Sequence, residues 1–221
     1  MMKCPDFLHP GPDVPWFNPE CTGIANLPPR AHLHSYENET QALDGDPERS
    51  PLFQLLDGTW KFRLFPKPAV LDREVIAKEL DDSNWDSIEV PGNWTMQGHD
   101  RPHYTNVQMP FPDQPPKVPE DNPTGVYRIR FLLPNGWEKR RVLIHFGGVE
   151  SAFFVFCNGI RAGFAKDSRT AVEFDLSPMI REGENQLSVV VIRWSDGSHL
   201  EDQDHWWMAG IHRSVYLRST E

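Results

Sequence analysis

At Gly58-Thr59-Trp60-Lys61-Phe62-Arg63-Leu64-Phe65 apolar and polar side chains alternate one by one, which puts Trp60, Phe62 and Leu64 on one face of an extended chain and Thr59, Lys61 and Arg63 on the other. A period of two cannot lay an apolar stripe along a helix; it makes a half-buried strand. The alternation returns at Val126-Tyr127-Arg128-Ile129-Arg130-Phe131, with Tyr127, Ile129 and Phe131 expected inward and the two arginines outward, and again at Val142, Ile144 and Phe146. Between residues 152 and 165 two apolar runs flank Asn158-Gly159, a pair that tolerates the positive φ angles of a type I′ turn and so predicts a β-hairpin. Residues 171–176, 186–194 and 213–217 complete the strands, and turn chemistry such as Arg181-Glu182-Gly183-Glu184-Asn185 lies between them. Only residues 72–80 read as a modest helix. The expectation is an all-β, jelly-roll type antiparallel β-sandwich; no strand and helix alternation supports a parallel α/β barrel.

Proline divides the chain further. Residues 1–50 hold eight of the 21 prolines with almost no hydrophobic periodicity, so they are expected to form an extended N-terminal arm on a surface rather than a long helix or central strand. Residues 51–221 are expected to form the sandwich. A second proline-dense stretch, residues 100–123, is too long and polar for a hairpin turn, and structured loops of that length are often functional.

The formal charge is −10, and the basic residues are scattered among acids, so neither nucleic acid nor an anionic membrane is an expected partner; a neutral ligand fits better. No stretch is long and apolar enough to span a bilayer, and the first fifteen residues lack the apolar core of a secretory signal, which favours a cytoplasmic location. Cys4, Cys21 and Cys157 are an odd set in a chain large enough to fold without crosslinks and are read as free thiols. Nothing around Cys157 suggests a nucleophile.

The segment carrying most chemistry runs from Arg193 through Trp194-Ser195-Asp196-Gly197-Ser198-His199-Leu200-Glu201-Asp202-Gln203-Asp204-His205-Trp206-Trp207 to Gly210. Carboxylates accept hydrogen bonds from sugar hydroxyls, and indole rings stack on the apolar faces of pyranoses. Tryptophans more often pack than bind, so Trp194, Trp206 and Trp207 are read first as fillers of the sandwich edge, with sugar stacking as the alternative. Glu201, Asp202 and Asp204 stay weak candidates for a catalytic pair, which needs opposed carboxyls about 5 to 5.5 Å apart for retention. His199, His205 and His212 match no zinc spacing and are expected to hydrogen-bond.

The same segment, together with Val90-Pro91-Gly92-Asn93-Trp94, Tyr104-Thr105-Asn106-Val107, Pro119-Glu120-Asp121-Asn122-Pro123-Thr124-Gly125 and Asp167-Ser168-Arg169 in this order, resembles the large β-galactosidases of glycoside hydrolase family 2. The likeness spans about residues 16–218 and includes Trp16, Asn18-Pro19, Thr22-Gly23 and Leu27-Pro28-Pro29-Arg30 in the arm.

The resemblance implies a five-domain enzyme that hydrolyses terminal non-reducing β-D-galactose residues, with both catalytic glutamates on a (β/α)₈ barrel not found in this chain. The chain alone is therefore expected to be inactive, and magnesium is expected only through that barrel. The resemblance further implies that Asn106, Val107 and Asp204 contact the substrate, that Asp204 also ligates a sodium ion, and that the arm supports a homo-oligomer. A peripheral magnesium found in some relatives would fall at Pro15, Asn18, Lys166 and Asp196; proline and lysine cannot supply its ligands, so it is expected to be absent, with the Lys166 ammonium either pairing with Asp196 in its place or standing as an ordinary solvated side chain.

Three readings remain: part of a β-galactosidase, a self-standing carbohydrate-binding module, and a purely structural module. Retention of both Asn106 and Asp204 favours the first, since a composite pocket uses both.

Overall fold

The computed structural model describes residues 4–9, 13–106, 108–201 and 203–220. Its strands in chain order begin with β1 (Gly23–Ile24), β2 (Phe53–Leu55), β3 (Gly58–Phe65), β4 (Asp86–Val90) and β5 (Thr124–Leu132). They continue with β6 (Arg141–Phe146), β7 (Val149–Glu150), β8 (Ala152–Cys157) and β9 (Ile160–Lys166). The last four are β10 (Val172–Asp175), β11 (Glu184–Ile192), β12 (Gly210–Ile211) and β13 (Val215–Thr220). A seven-stranded sheet has the order β1-β9-β8-β11-β5-β3-β4, a four-stranded sheet β10-β6-β13-β2, and β7 pairs with β12. All these pairings are antiparallel, as the expected sandwich requires.

Between the two main sheets lies a core that includes Trp60, Phe62, Tyr127, Phe146, Phe153, Val189 and Leu217. The turn between β8 and β9 has φ of 51° at Asn158 and 76° at Gly159, the left-handed pair its sequence calls for. Every residue of β8 is buried, because Phe154 and Phe156 on its far face enter a second apolar cluster with Leu8, Trp16, Trp85, Phe164 and Val190. Both faces of the large sheet are thus covered at β8 and β11, while Arg63 on β3 and Glu89 on β4 stay exposed. The continuous apolar run of β8 reflects this, where a one-sided strand would alternate.

That second layer corrects two expectations. Arg128, expected outward, is 1 % exposed because the chain between β3 and β4 lies over it. Its guanidinium donates to Asp82 at 2.7 Å and to the carbonyls of Val75 and Ala77 at 2.8 and 2.9 Å. The modest helix at residues 72–80 is instead one 3₁₀ turn, Arg73–Ile76. Two carbonyls that a longer helix would use internally are taken by Arg128, and Val75 and Ile76 are buried against the sheet.

Parts of the N-terminal segment are fastened to the sandwich. Trp16 and Leu8 are fully buried, and β1 adds a short edge to the large sheet beside β9. Gly163 permits this approach, since a Cβ there would collide with the Ile24 carbonyl and the Phe174 ring. The only α-helix among the described residues, α1 (Glu39–Asp44), occupies the proline-free part, capped by the Asn38 side chain and ended by Gly45 at φ 74°. It buries no residue.

Lys166, at the end of β9, closes the other side of this attachment. Its ammonium lies 2.7 Å from both oxygens of Asp196 and 2.9 Å from the Asn18 carbonyl, with the Pro15 carbonyl at 3.4 Å. The expected pairing of Lys166 with Asp196 is present, and both side chains are under one-tenth exposed. Lys166→Met strands a buried carboxylate and is expected to cost about 3 kcal/mol. Urea unfolding, with protease cleavage within residues 13–22, checks this; an unchanged midpoint and cleavage rate would contradict it.

On the outer face of the smaller sheet Glu173 receives two bonds from Arg30, at 2.6 and 2.9 Å, and two from Arg218, both at 2.9 Å. Burial pushes its carboxyl up, but the donors His145, Arg218 and Arg30 outweigh burial and hold it well below the usual range. A depressed carboxyl stabilises the fold fully above its ordinary value of 4.5, and that contribution is lost as pH falls below it. Denaturation followed from about pH 6 to about pH 3 should show stability falling below about pH 4.5. Glu173→Gln should be weaker at the start by about 3 kcal/mol and decline less steeply.

Candidate functional site

Arg193 follows β11 and decides where two loops meet. It is 1 % exposed, and its guanidinium reaches the Asp100 carboxylate, the Arg101 carbonyl at 2.8 Å and the Trp207 carbonyl at 3.3 Å. The same guanidinium lies 4.8 Å above the Trp194 ring. Trp194 is held in turn by two hydrogen bonds with Asn122, at 2.8 and 2.9 Å, and packs against Phe111 and Trp207. The proline-dense loop is therefore fixed at Asp100 and at Asn122, and the acidic loop at Arg193 and Trp207.

Between those anchors the loops run side by side. His103 and Trp207 exchange backbone hydrogen bonds of 2.7 and 3.2 Å, and the Trp207 indole N–H donates to the Thr105 hydroxyl at 2.9 Å. His103 also lies parallel to Trp194 at 6.3 Å; burial, then the Arg193 charge, lowers its pKa. One step further out the Tyr104 hydroxyl donates to Asp204 at 2.8 Å, and the Tyr104 and Trp206 rings are 5.6 Å apart. Tyr104 is 50 % exposed and Trp206 53 %. The outcome is a rim of two exposed aromatic rings with an exposed carboxylate bonded to one of them.

Asn106 and Asp204 are both exposed and belong to these two tied segments; Asp204 turns the chain with a left-handed φ of 55°. Val107 and Asp202 lie outside the described residues. Glu201 is committed to the fold, its carboxylate accepting from the Ser168 amide at 2.8 Å and the Ser168 hydroxyl at 2.5 Å. Of the three tryptophans, Trp194 and Trp207 are buried, as their packing role requires, and only Trp206 presents a face to solvent.

Among the described residues no group of three or more His, Cys, Asp and Glu side chains could hold a metal ion. Asp204 offers oxygen donors suited to a hard cation, but among the described residues it belongs to no such group. The thiols of Cys4 and Cys157 are pushed up to about 12 by burial, and all three cysteines are free, so neither of those two serves as a nucleophile. No helix among the described residues is long and apolar enough to cross a membrane.

The sequence alone did not reveal Tyr104, Arg169 and Arg193 as organisers of this rim. Each acts across a gap of more than 30 residues, on Asp204, His205 and Asp100 respectively. A usable signal existed for Tyr104, which stands two residues before Asn106 with an aromatic ring in an otherwise polar stretch.

Residues 53–221 match the family model described as "Glycosyl hydrolases family 2, sugar binding domain". The chain is 50 % identical over 204 residues to a protein named beta-galactosidase from Psychromonas ingrahamii, covering 92 % of this chain and 20 % of that one. A beta-galactosidase from Vibrio cholerae is likewise 50 % identical over 203 residues, covering 91 % of this chain and 19 % of that one. The chain thus spans about one fifth of the curated relatives it matches. Among solved structures, a beta-glycosidase from Bacteroides vulgatus aligns with a TM-score of 0.55 at 25 % identity over 76 % of this chain and 20 % of that one. A beta-glucuronidase from Bacteroides uniformis aligns at 0.57 and 22 % over 76 % of this chain and 18 % of that one, which supports the fold. With the sandwich, the family match and half-identical relatives in agreement, the chain belongs to glycoside hydrolase family 2, as a sugar-binding domain of that family.

Proposed function

We propose that this domain completes the galactose site of a β-galactosidase: Asn106, Val107 and Asp204 contact the sugar, while the catalytic glutamates belong to another domain. The hydrogen bond from Tyr104 to Asp204 carries the reading, because it ties the Asn106 segment to the Asp204 segment on one exposed rim. Contacts from two separate loops suit a ligand held mostly by something else. Glu201 is engaged by Ser168, so a retaining pair of carboxyls within this loop has little support. The relatives' name, beta-galactosidase, supports terminal β-D-galactosides as the substrate.

Sodium fits Asp204 as a shared ligand. A carboxylate oxygen is a hard donor, and the ion would bridge the protein to a sugar hydroxyl only when the other domain supplies further oxygens. Magnesium belongs to that other domain as well. A cytoplasmic setting suits three free cysteines. The exposed stretch with Leu33 and Leu43, 68 % and 80 % exposed, is the part of the arm open to an oligomer contact.

The test is to mix the purified chain with a β-galactosidase lacking its first domain and to follow a chromogenic galactoside. Restored hydrolysis supports the proposal. Tight galactose binding by the chain alone, with no restored hydrolysis, would favour a self-standing carbohydrate-binding module using Trp206.

A further inference from the structure

The acidic loop is anchored at Arg193 and Trp207, and between them a second device grips it. The turn after β9 begins at Asp167, whose φ of 87° reverses the chain, and presents Ser168 and Arg169 to the two ends of the segment that carries Asp204. Ser168, fully buried, holds Glu201 through its amide and its hydroxyl. Arg169 reaches past it to His205, with one guanidinium nitrogen 3.2 Å from Nε2 and the other 3.3 Å from a carboxylate oxygen of Glu150. Glu150 lies on β7 and is 4 % exposed. β7 pairs with β12, the strand into which the acidic loop returns.

Hydrogen-bond accounting separates the two neutral forms of His205. Its Nδ1 is 3.0 Å from the Trp206 carbonyl, which can only accept, so Nδ1 carries the proton and Nε2 is a bare acceptor for Arg169. The other neutral tautomer would donate to the Gln203 oxygen at 3.3 Å, but it would set one lone pair against a carbonyl and one proton against a guanidinium. Protonation at Nδ1 makes two bonds and leaves one lone-pair contact, between Nε2 and the Gln203 oxygen, and is the better of the two arrangements. His212 differs: its Nε2 donates to the Ser168 carbonyl at 2.8 Å, so its 3.4 Å approach to Arg169 is a contact without a bond. Burial pushes the Glu150 carboxyl up and the Arg169 charge pulls it back, which makes Arg169 the counter-ion as well as the reach.

We infer that the Asp167-Ser168-Arg169 turn is a clasp on the acidic loop, and that Arg169 is a positioning residue: through His205 it holds Asp204 at the rim without touching a ligand itself. The consequence for sugar binding rests on the composite-site reading, but the clasp does not.

Nitrogen NMR on histidine-labelled full chain separates the two. The wild-type spectrum should show His205 protonated at Nδ1 and bare at Nε2. Arg169→Met should shift the Nε2 resonance, which loses its donor, and speed exchange of the Trp207 amide, bonded to the His103 carbonyl, by about tenfold or more, while β11 amides keep their protection. Because Arg169→Met leaves Glu150 buried without a partner, the pair Glu150→Gln with Arg169→Met is measured too and should show the same changes in a folded chain. An unchanged His205 spectrum and unchanged exchange in that double variant would overturn the clasp. In the reconstituted hydrolysis assay Arg169→Met should lower kcat/KM by about 10- to 100-fold. A wild-type rate there, with Asp204→Ala impaired, overturns the positioning role. A wild-type rate for Asp204→Ala defeats the composite-site reading instead and leaves the clasp to be judged by the His205 spectrum.

Discussion

Arg193→Met is expected to lower folding stability by about 3–5 kcal/mol, among the largest effects of any single substitution in this chain. The side chain is 1 % exposed and joins three groups at once: the Asp100 carboxylate and the carbonyls of Arg101 and Trp207. A methionine fills similar volume but offers no donor, so Asp100 keeps its charge with no counter-ion and two carbonyls lose a partner. The loss also reaches the rim, since Trp207 is one half of the His103–Trp207 backbone pair and Arg101 lies two residues before the other half. Urea unfolding gives the stability, and amide exchange at His103 and Trp207 gives the rim. A variant within about 1 kcal/mol of wild type would mean that the two loops are held together elsewhere.

The second large effect falls on activity. Asp204→Ala in the reconstituted mixture is expected to reduce hydrolysis of a galactoside about 100-fold, because a misplaced or missing contact near the reacting sugar costs on that scale. Its own fold should barely change: an exposed side chain away from the core costs about 0.5 kcal/mol or less. The Tyr104 hydroxyl loses an acceptor but remains at the surface. Asn106→Ala should act in the same direction. Full activity in both variants would remove this rim from the sugar site.

The parts of this fold that could be read from the sequence are those with a local rule. Alternation marked β3 from Thr59 to Leu64, and Asn158-Gly159 marked the β8–β9 hairpin. β2, β7 and β12 are two or three residues long, too short for any period to show. Arg128 shows a different limit. Its position in an alternating strand is what an outward residue would have, yet a distant segment carrying Asp82 covers that face and turns it into a buried ion pair. The helical reading of residues 72–80 failed for the same reason, since Arg128 takes the carbonyls.

For the site, the sequence singled out the two polar loops that the structure ties together, and the family likeness named Asn106 and Asp204 within them. Neither could show that Tyr104 bonds Asp204 or that Glu201, an equal candidate by proximity, is spent on Ser168. These are contacts between segments far apart in the chain, and they follow from the packing of β11 between β5 and β8, which brings the loop ends to one edge.

The most direct measurement is amide hydrogen exchange of the chain, free and mixed with a β-galactosidase lacking its first domain. If the rim completes a pocket in that partner, residues 103–106 and 203–207 gain protection on mixing, and gain more when a galactose analogue is added. Protection confined to other surfaces, with those two segments exchanging as in the free chain, would contradict the account.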